Sequence, residues 1–307
     1  KAWIPGLFQA MGLSKRILQE IIEPGMVLGP LTEKVVAETG YRGVPVVATA
    51  GHDTAAAVAA VPAEGRNWAY ISSGTWSLVG VEEKAPIISE KSLESNFTNE
   101  GGVGGTIRFL KNVTGLWLVQ GCRKAWSKEG LLSYEDLVQS AGGAPAFAAL
   151  IDPDDPSFLN PPDMPEAVID YCRKTGQHAP ASRPAMVRAL LESLALKYRH
   201  VIDRLGQVLG HPIEKIHVIG GGSRNELLCQ FTANATGLAV IAGPAEATAI
   251  GNILVQAMAM GHVSSLAEMR AIIRESFELR TYEPADTAAW EATYARFRGV
   301  LAAVAPT

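Results

Sequence analysis

Three cysteines in 307 residues, Cys122, Cys172 and Cys229, are too few and too widely spaced for a disulfide framework. No Cys-x-x-Cys pair is present to suggest a zinc site, so a reducing, cytoplasmic setting is the expectation. Charge is scarce as well. Asp, Glu, Lys and Arg supply 19% of the residues, the formal net charge is -4, and no stretch gathers Lys and Arg together. That excludes the basic surface that nucleic-acid binding needs. Long hydrophobic runs are missing too. The most apolar helix candidate, 247–260, is short and carries Asn252 and Gln256, so it reads as a core helix and no membrane partner is expected. No leader-type pattern opens the sequence at Lys1, and no solenoid-type repeat runs through it. What is abundant is apolar surface: 48% of the residues are hydrophobic, enough for a well-buried α/β chain of one large or two ordinary domains.

Apolar periodicity and breakers set the expected order of elements. Residues 1–22 read as a helix broken at Gly12, restarting at Ser14 and stopped by Glu23-Pro24-Gly25. A strand at 27–28, a short helix over 32–39 and an apolar strand over 44–49 follow. That strand runs into Gly51-His52-Asp53-Thr54 and an Ala-rich helix to residue 61. Pro62-Ala63-Glu64-Gly65 reads as a linker, dividing the chain into domains 1–62 and 63–307. Beyond it the pattern predicts strands over 67–71, 77–82 and 106–110, a helix over 116–126, and an ordered surface loop over 152–165. A long amphipathic helix over 185–209 ends at Gly210. A buried strand at 215–219, a helix through 236, a strand at 238–242, the core helix, and helices at 266–277 and 287–303 complete the chain. Three strands before any alternation with helices is not the Rossmann order. It resembles the ribonuclease-H-like, actin-like ATPase arrangement.

Four stretches could carry chemistry. Asp53 stands where a buried strand meets a helix, the place where α/β enzymes put working groups. Its structural alternative is a helix N-cap, and His52 reads as a hydrogen-bonding residue. Ser72-Ser73-Gly74-Thr75 forms a tight turn between strands, whose backbone N–H groups and hydroxyls could cradle phosphate or simply make a hairpin. Gly220-Gly221-Gly222-Ser223-Arg224-Asn225 follows a strand and opens a helix, which suits a nucleotide, though it is neither a Walker loop nor G-x-G-x-x-G. Asn112 and Gln120 flank a turn and a helix start and, without context, read as surface groups. The acidic run Asp152, Asp154, Asp155 and Asp163 lacks the spacing of a calcium loop and is explained by turn chemistry.

Together, Gly51-His52-Asp53-Thr54, Ser72-Ser73-Gly74-Thr75-Trp76-Ser77, the triple-glycine turn and Ala242-Gly243-Pro244-Ala245-Glu246 resemble the FGGY carbohydrate kinases in order and spacing. The resemblance implies two ribonuclease-H-like domains with ATP and sugar between them, the last part of the sugar-binding domain in 1–62 and the ATP-binding domain in 63–307. It makes Asp53 the base that takes a proton from the sugar hydroxyl, with His52, Thr54 and Asn112 helping to hold the sugar. Ser73, Gly74, Thr75, Gln120, Gly221, Gly222 and Asn225 would contact ATP, and Mg²⁺ would bridge phosphate oxygens. The implied acceptor is a ketose, L-rhamnulose first, with xylulose, fuculose or glycerol-type acceptors as alternatives. A non-catalytic nucleotide-binding module of the actin or Hsp70 kind is the reading from another class. Monomer and homodimer both stay open. Family members can carry a cysteine pair, but these three cysteines do not suggest that pairing, so no disulfide is expected. The family's long amino-terminal portion, with its own phosphate hairpin, is not in this sequence, so this chain alone is expected to have little or no kinase activity.

Overall fold

The continuous apolar run Trp68, Ala69, Tyr70 and Ile71 makes a strand buried on both faces, and the rest of the fold is layered around it. The structure is a computed structural model that describes residues 2–127, 130 and 133–303. The outermost residues of the two expected domains, 1 and 304–307, lie outside the described residues.

The chain opens with a short helix, α1 (Pro5–Ala10), none of whose residues is buried. The continuous helix expected over 1–22 is not formed. Gly12 breaks it with φ of +67°, as its sequence suggested, but Ser14 caps only a 3-10 turn at Lys15–Ile17 before the chain extends. One or two turns without a buried face do not sustain a helix. Strand β1 (Val27–Pro30), helix α2 (Glu33–Thr39) and strand β2 (Pro45–Val47) follow, with β1 and β2 paired antiparallel. Helix α3 (Asp53–Ala59) comes next, and every residue from Thr54 to Ala59 is buried.

Strands β3 (Trp68–Ser73) and β4 (Trp76–Glu83) form a hairpin. A short helix, α4 (Glu90–Glu94), leads to β5 (Thr98–Gly101) and β6 (Ile107–Thr114). Helices α5 (Trp117–Trp126), α6 (Tyr134–Gly142), α7 (Met164–Lys174) and α8 (Arg183–Leu209) precede β7 (Lys215–Ile219). Then come α9 (Glu226–Thr236), β8 (Ala239–Ala242), α10 (Ala247–Ala259), α11 (Leu266–Ser276), β9 (Arg280–Tyr282) and α12 (Thr287–Ala303).

The large sheet has the order β5-β6-β4-β3-β7-β8-β9, antiparallel from β5 through β3, parallel from β3 through β8, and antiparallel again at β9. Its central five strands give the ribonuclease-H-like order, an antiparallel meander continued by crossover strands. One face carries Ala69, Ile71, Val79, Phe109 and Val113 under residues of α5, α8, α9 and α12. The other carries Trp68, Tyr70 and Leu110 under α3, α10 and α11.

Helix α3 therefore packs on elements that follow the 62–65 linker. Its crossing with α10 is close because Gly251 lacks a side chain: a methyl there would lie 2.6 Å from the carbonyl carbon of Ala56. Two arginines of α11 hold the far end of α3. The Arg270 guanidinium donates to Val58 O at 3.4 Å and to Glu82 at 2.8 Å, and lies over the Trp68 ring. Arg274 donates to Ala63 O at 3.2 Å. Cationic groups at a helix carboxyl end are favourable.

The acidic stretch is the ordered, mostly exposed or half-exposed segment expected, but it is anchored from inside. Ile151 and Phe158 sit in the core, and α7 begins inside the stretch, at Met164. The carboxylates have separate structural tasks. Asp163 caps α7 by accepting from Glu166 N, and Asp155 caps a 3-10 turn at Pro156–Phe158. Asp152 and Asp154 both pair with the buried Lys197 of α8, at 2.6 and 3.0 Å. Burial alone would push the Lys197 ammonium down, but the Asp154 and Asp152 carboxylates outweigh it and the net direction is up. Among the described residues no helix is long and apolar enough to cross a membrane. All three cysteines are buried free thiols, and burial pushes those of Cys122 and Cys229 up to about 12.

Candidate functional site

A cleft of about 580 Å³ opens where the hairpin tip, the amino end of α3 and the turn after β7 meet. It is lined by His52, Asp53, Thr54, Asn112 and Gly221, and by Ser73, Gly74 and Thr75 from the hairpin. Residues singled out on separate stretches of the sequence thus share one cavity.

His52, not Asp53, is the N-cap of α3: its Nδ1 accepts from Thr54 N at 3.3 Å. Asp53 is the first helical residue. Its Oδ1 accepts from Thr54 N at 2.6 Å and from Thr54 Oγ1 at 3.2 Å, and lies 3.2 Å from His52 Nδ1. The two hydrogen bonds from Thr54 fix one carboxylate oxygen. The side chain stays 74% exposed, so it can still accept from an incoming hydroxyl.

The hairpin tip is held by the turn that follows β6. Gly115 N and Trp117 N donate to Thr75 O, and Leu116 N donates to Gly74 O. Gly115 permits this approach, since a methyl there would fall 2.7 Å from Ser77 Oγ. That turn is itself fixed from below, because Thr114 N donates to Asp154 at 2.8 Å. The Gly74 N–H donates to Trp76 O within the hairpin at 2.9 Å, so it is not one of the free anion-facing donors that the turn suggested. Thr75 Oγ1 is exposed instead and donates to Gln120 Oε1 at 3.2 Å, bringing Gln120 from α5 to the hairpin. Asn112, read from sequence as flanking a turn, lies on β6 opposite Leu78 and faces the cleft.

The three glycines after β7 divide their roles. A methyl on Gly220 would lie 2.9 Å from Ser73 O, and one on Gly222 would lie 2.5 Å from Ser73 Cβ. Both let the turn nest against the hairpin. Gly221 has open space beside it and lines the cleft. Gly222 and Asn225 are buried and do not line it. Asn225 caps α9 by accepting from Leu228 N, and its amide donates to the Tyr134 hydroxyl at 2.9 Å.

The cleft also holds Trp76 and Glu246, named from sequence only as parts of motifs, and Leu78, Glu100 and Thr248, which the sequence did not flag. Glu100 is set by Arg108, whose guanidinium is almost fully buried and donates to Glu100 at 2.9 Å and to Gly101 O at 3.1 Å. β5 escapes a sequence reading because Thr98-Asn99-Glu100-Gly101 has no apolar alternation.

The amino-acid pattern of the central sheet matches the FGGY family of carbohydrate kinases, C-terminal domain, over residues 69–260. The chain belongs to this family. It is 53% identical to a rhamnulokinase of Bacteroides thetaiotaomicron over 97% of its length, covering 61% of that protein. It is 40% identical to a rhamnulokinase of Bacillus subtilis over 92% of its length, covering 58% of that one. The chain thus spans about three-fifths of the relatives it matches. In shape it resembles a ligand-bound xylulose kinase of Lactobacillus acidophilus, with a TM-score of 0.76 at 16% identity over 100% of this chain and 61% of that one. A Plasmodium falciparum glycerol kinase with ADP gives a TM-score of 0.70 at 15% identity, over 100% of this chain and 60% of that one. These likenesses establish the actin-like ATPase fold of sugar kinases.

A magnesium site can be tested against the donors present. Among the described residues no three His, Cys, Asp or Glu side chains converge as a ready-made metal site. Mg²⁺ carried by a nucleotide needs only one or two carboxylates besides phosphate and water. Asp53, Glu100 and Glu246 all line the cleft, so the donor set fits a cation brought in with ATP.

Proposed function

We propose that this chain is the catalytic carboxy-terminal portion of an ATP-dependent ketose kinase, with L-rhamnulose the first acceptor to test and Asp53 the base. The observation that carries this reading is the meeting of the Asp53 carboxylate, the Ser73–Gly74–Thr75 tip and Gly221 in one cleft. The rhamnulokinase relatives support the choice of acceptor. A sugar hydroxyl placed against the open oxygen of Asp53 gives up its proton as its oxygen forms a bond to the γ-phosphorus. The bond from that phosphorus to the bridging oxygen of ADP breaks in the same step, and Asp53 later returns the proton to solvent. Thr75 Oγ1 and the cleft edge at Gly221 orient the phosphates, with Gln120 set through Thr75. Gly222 and Asn225 serve indirectly, by seating the turn against the hairpin and starting α9. Mg²⁺, when bound with ATP, offsets charge on the phosphate oxygens. Most of the catalytic effect is then positioning and electrostatics.

ADP release coupled to L-rhamnulose, with xylulose and glycerol in parallel, tests this in the gene product containing this chain. Asp53→Asn lowers kcat by about 10²–10⁴-fold while ATP affinity stays within about twofold. Equal loss of ATP binding and turnover would mean that Asp53 is structural. ATP binding without phosphorylation of any acceptor would favour a non-catalytic nucleotide module. The 307-residue chain alone turns over slowly, because the exposed Asp53 side chain is not yet enclosed and water is not excluded around it. Normal turnover by this chain would refute that point.

A further inference from the structure

The hairpin tip that carries Thr75 is held from inside by two consecutive residues of α8, neither of which lines the cleft. Lys197 is 6% exposed and Tyr198 1% exposed. The Lys197 ammonium donates to Asp152 Oδ1 at 2.6 Å and pairs with Asp154 Oδ2 at 3.0 Å. The other oxygen of Asp154 accepts from Thr114 N at 2.8 Å, at the end of β6. Thr114 leads directly into the turn whose Gly115, Leu116 and Trp117 N–H groups hold the carbonyls of Gly74 and Thr75. Tyr198 reaches the hairpin by a second route. Its hydroxyl shares a buried hydrogen bond of 2.6 Å with Ser77 Oγ, and Ser77 stands opposite Ser73 in the hairpin and opposite Val113 on β6.

Stability is a weak reason for this arrangement. Drawing an ammonium and two carboxylates out of water is costly, and well-packed apolar side chains would often serve stability as well or better. What the charged groups supply is direction. Asp154 is held through both oxygens, one by Lys197 and one by Thr114 N. Asp152 is fixed in turn: its backbone N–H donates to the Tyr171 hydroxyl at 3.0 Å, and its Oδ1 accepts from Asp154 N at 3.1 Å. Helix α8 grips the same segment twice more, where Ser193 Oγ accepts from Ile151 N and Glu192 Oε2 accepts from Phe147 N. The segment is a strut between α8 and the end of β6. Helix α3, which carries Asp53, packs on the opposite face of the sheet from α8, and Asn112 keeps its place in the β4–β6 ladder.

We propose that Lys197, acting through Asp154, and Tyr198, acting through Ser77, are positioning residues that set the hairpin tip for the phosphates of ATP. This rests on the proposed function, in which Thr75 orients those phosphates. It adds that the grip on nucleotide is set from the core of the domain, while the groups that meet the acceptor are held separately.

The test measures KM for ATP, KM for the acceptor that wild type phosphorylates, and the urea midpoint, in the gene product containing this chain. Asp154→Ala removes the acceptor for Thr114 N and raises KM for ATP about tenfold, with KM for the sugar within about twofold. Asp154→Asn keeps an oxygen for Thr114 N and recovers most of the loss. Tyr198→Phe keeps the ring and removes only the bond to Ser77, and it raises KM for ATP about fivefold. A side chain that merely stabilised the core would lower the urea midpoint and the active fraction while leaving both KM values alone. Lys197→Met shifts KM for ATP as Asp154→Ala does. If it is unfolded, because two carboxylates are left without their cation, the Asp154 and Tyr198 variants decide. If Asp154→Ala is unfolded too, Tyr198→Phe decides alone. Unchanged KM for ATP in folded Asp154→Ala or Tyr198→Phe, or equal shifts for ATP and sugar, overturn this inference and leave the proposed function standing. A wild type that binds ATP but phosphorylates no acceptor overturns the proposed function, and the Kd of an ATP analogue in the same variants then decides this inference. A wild type that binds no ATP overturns both.

Discussion

Replacing Gly251 by alanine sets helix propensity against helix crossing, and the two predict opposite signs. Within a helix interior alanine is favoured over glycine by about 1 kcal/mol. On an isolated α10 the change would stabilise. In the fold, the added methyl falls inside contact distance of the Ala56 carbonyl oxygen, 2.6 Å from its carbonyl carbon and 3.2 Å from its Cα. The obstacle is backbone rather than a side-chain end that could swing aside. Ordinary carbon contacts lie at about 3.5–4.0 Å, so the helices must separate by about 1 Å. Helix α3 cannot retreat freely, because Thr54 through Ala59 are buried and Arg270 holds Val58 O. Overpacking of this kind costs about 1–3 kcal/mol. Set against the propensity gain, the expected result is a net destabilisation of about 1 kcal/mol, read as a lower urea midpoint with unchanged m. The same shift moves Asp53, and about 1 Å at a reacting group costs on the order of 100-fold in kcat. Gly251→Val should be worse on both measures. A Gly251→Ala protein with a raised midpoint and unaltered turnover would refute the reasoning, since the crossing would then have slack.

The glycines after β7 give a paired test. Gly222→Ala presses on Ser73 and should lose about 1–3 kcal/mol in chemical denaturation, whereas Gly221→Ala enters open space and should stay within about 0.5 kcal/mol while weakening binding of an ATP analogue. Equal effects on stability would contradict the division of roles. Acid sensitivity should follow His217, which is 2% exposed with both ring nitrogens unpaired. Burial first, and then the cations Lys215, Arg270 and Arg274, depress its pKa to about 3. The unfolded chain binds the proton near pH 6.5 and the native state does not, so this group's contribution is complete above about pH 6.5 and is lost as pH falls toward 3. His217 by itself should lower stability at pH 5 by about 2 kcal/mol relative to pH 7, and His217→Gln should flatten the slope. A wild-type profile that is level from pH 7 to pH 5 would count against a neutral buried imidazole.

Much of this protein was legible because its signals are local. Strand-to-turn junctions such as 215–225 and the Gly210 cap of α8 are written in consecutive residues, and backbone sterics leave them few conformations. The misses have physical causes. Asp163-Met164-Pro165-Glu166 is a helix start, with Asp163 accepting from Glu166 N, yet proline and aspartate also favour turns and the surroundings read as loop. Strand β5 exists because the edge of β6 is there to pair with it. Asn112 is on a strand rather than at a turn because pairing with β4 continues as far as Trp76 opposite Thr114.

The sequence by itself determined the family motifs, the order of the central strands and the identity of Asp53 as the group to test. Tertiary structure alone decided that His52 caps α3, that Gly222 lies under Ser73 while Gly221 faces the cleft, and that Trp76 and Glu100 share the cavity with Asp53. Propensity acts between neighbours in the chain, whereas the approach of Ala56 to Gly251 and of Ser73 to Gly222 depends on how separate elements pack. Such contacts are fixed only when both partners are buried together.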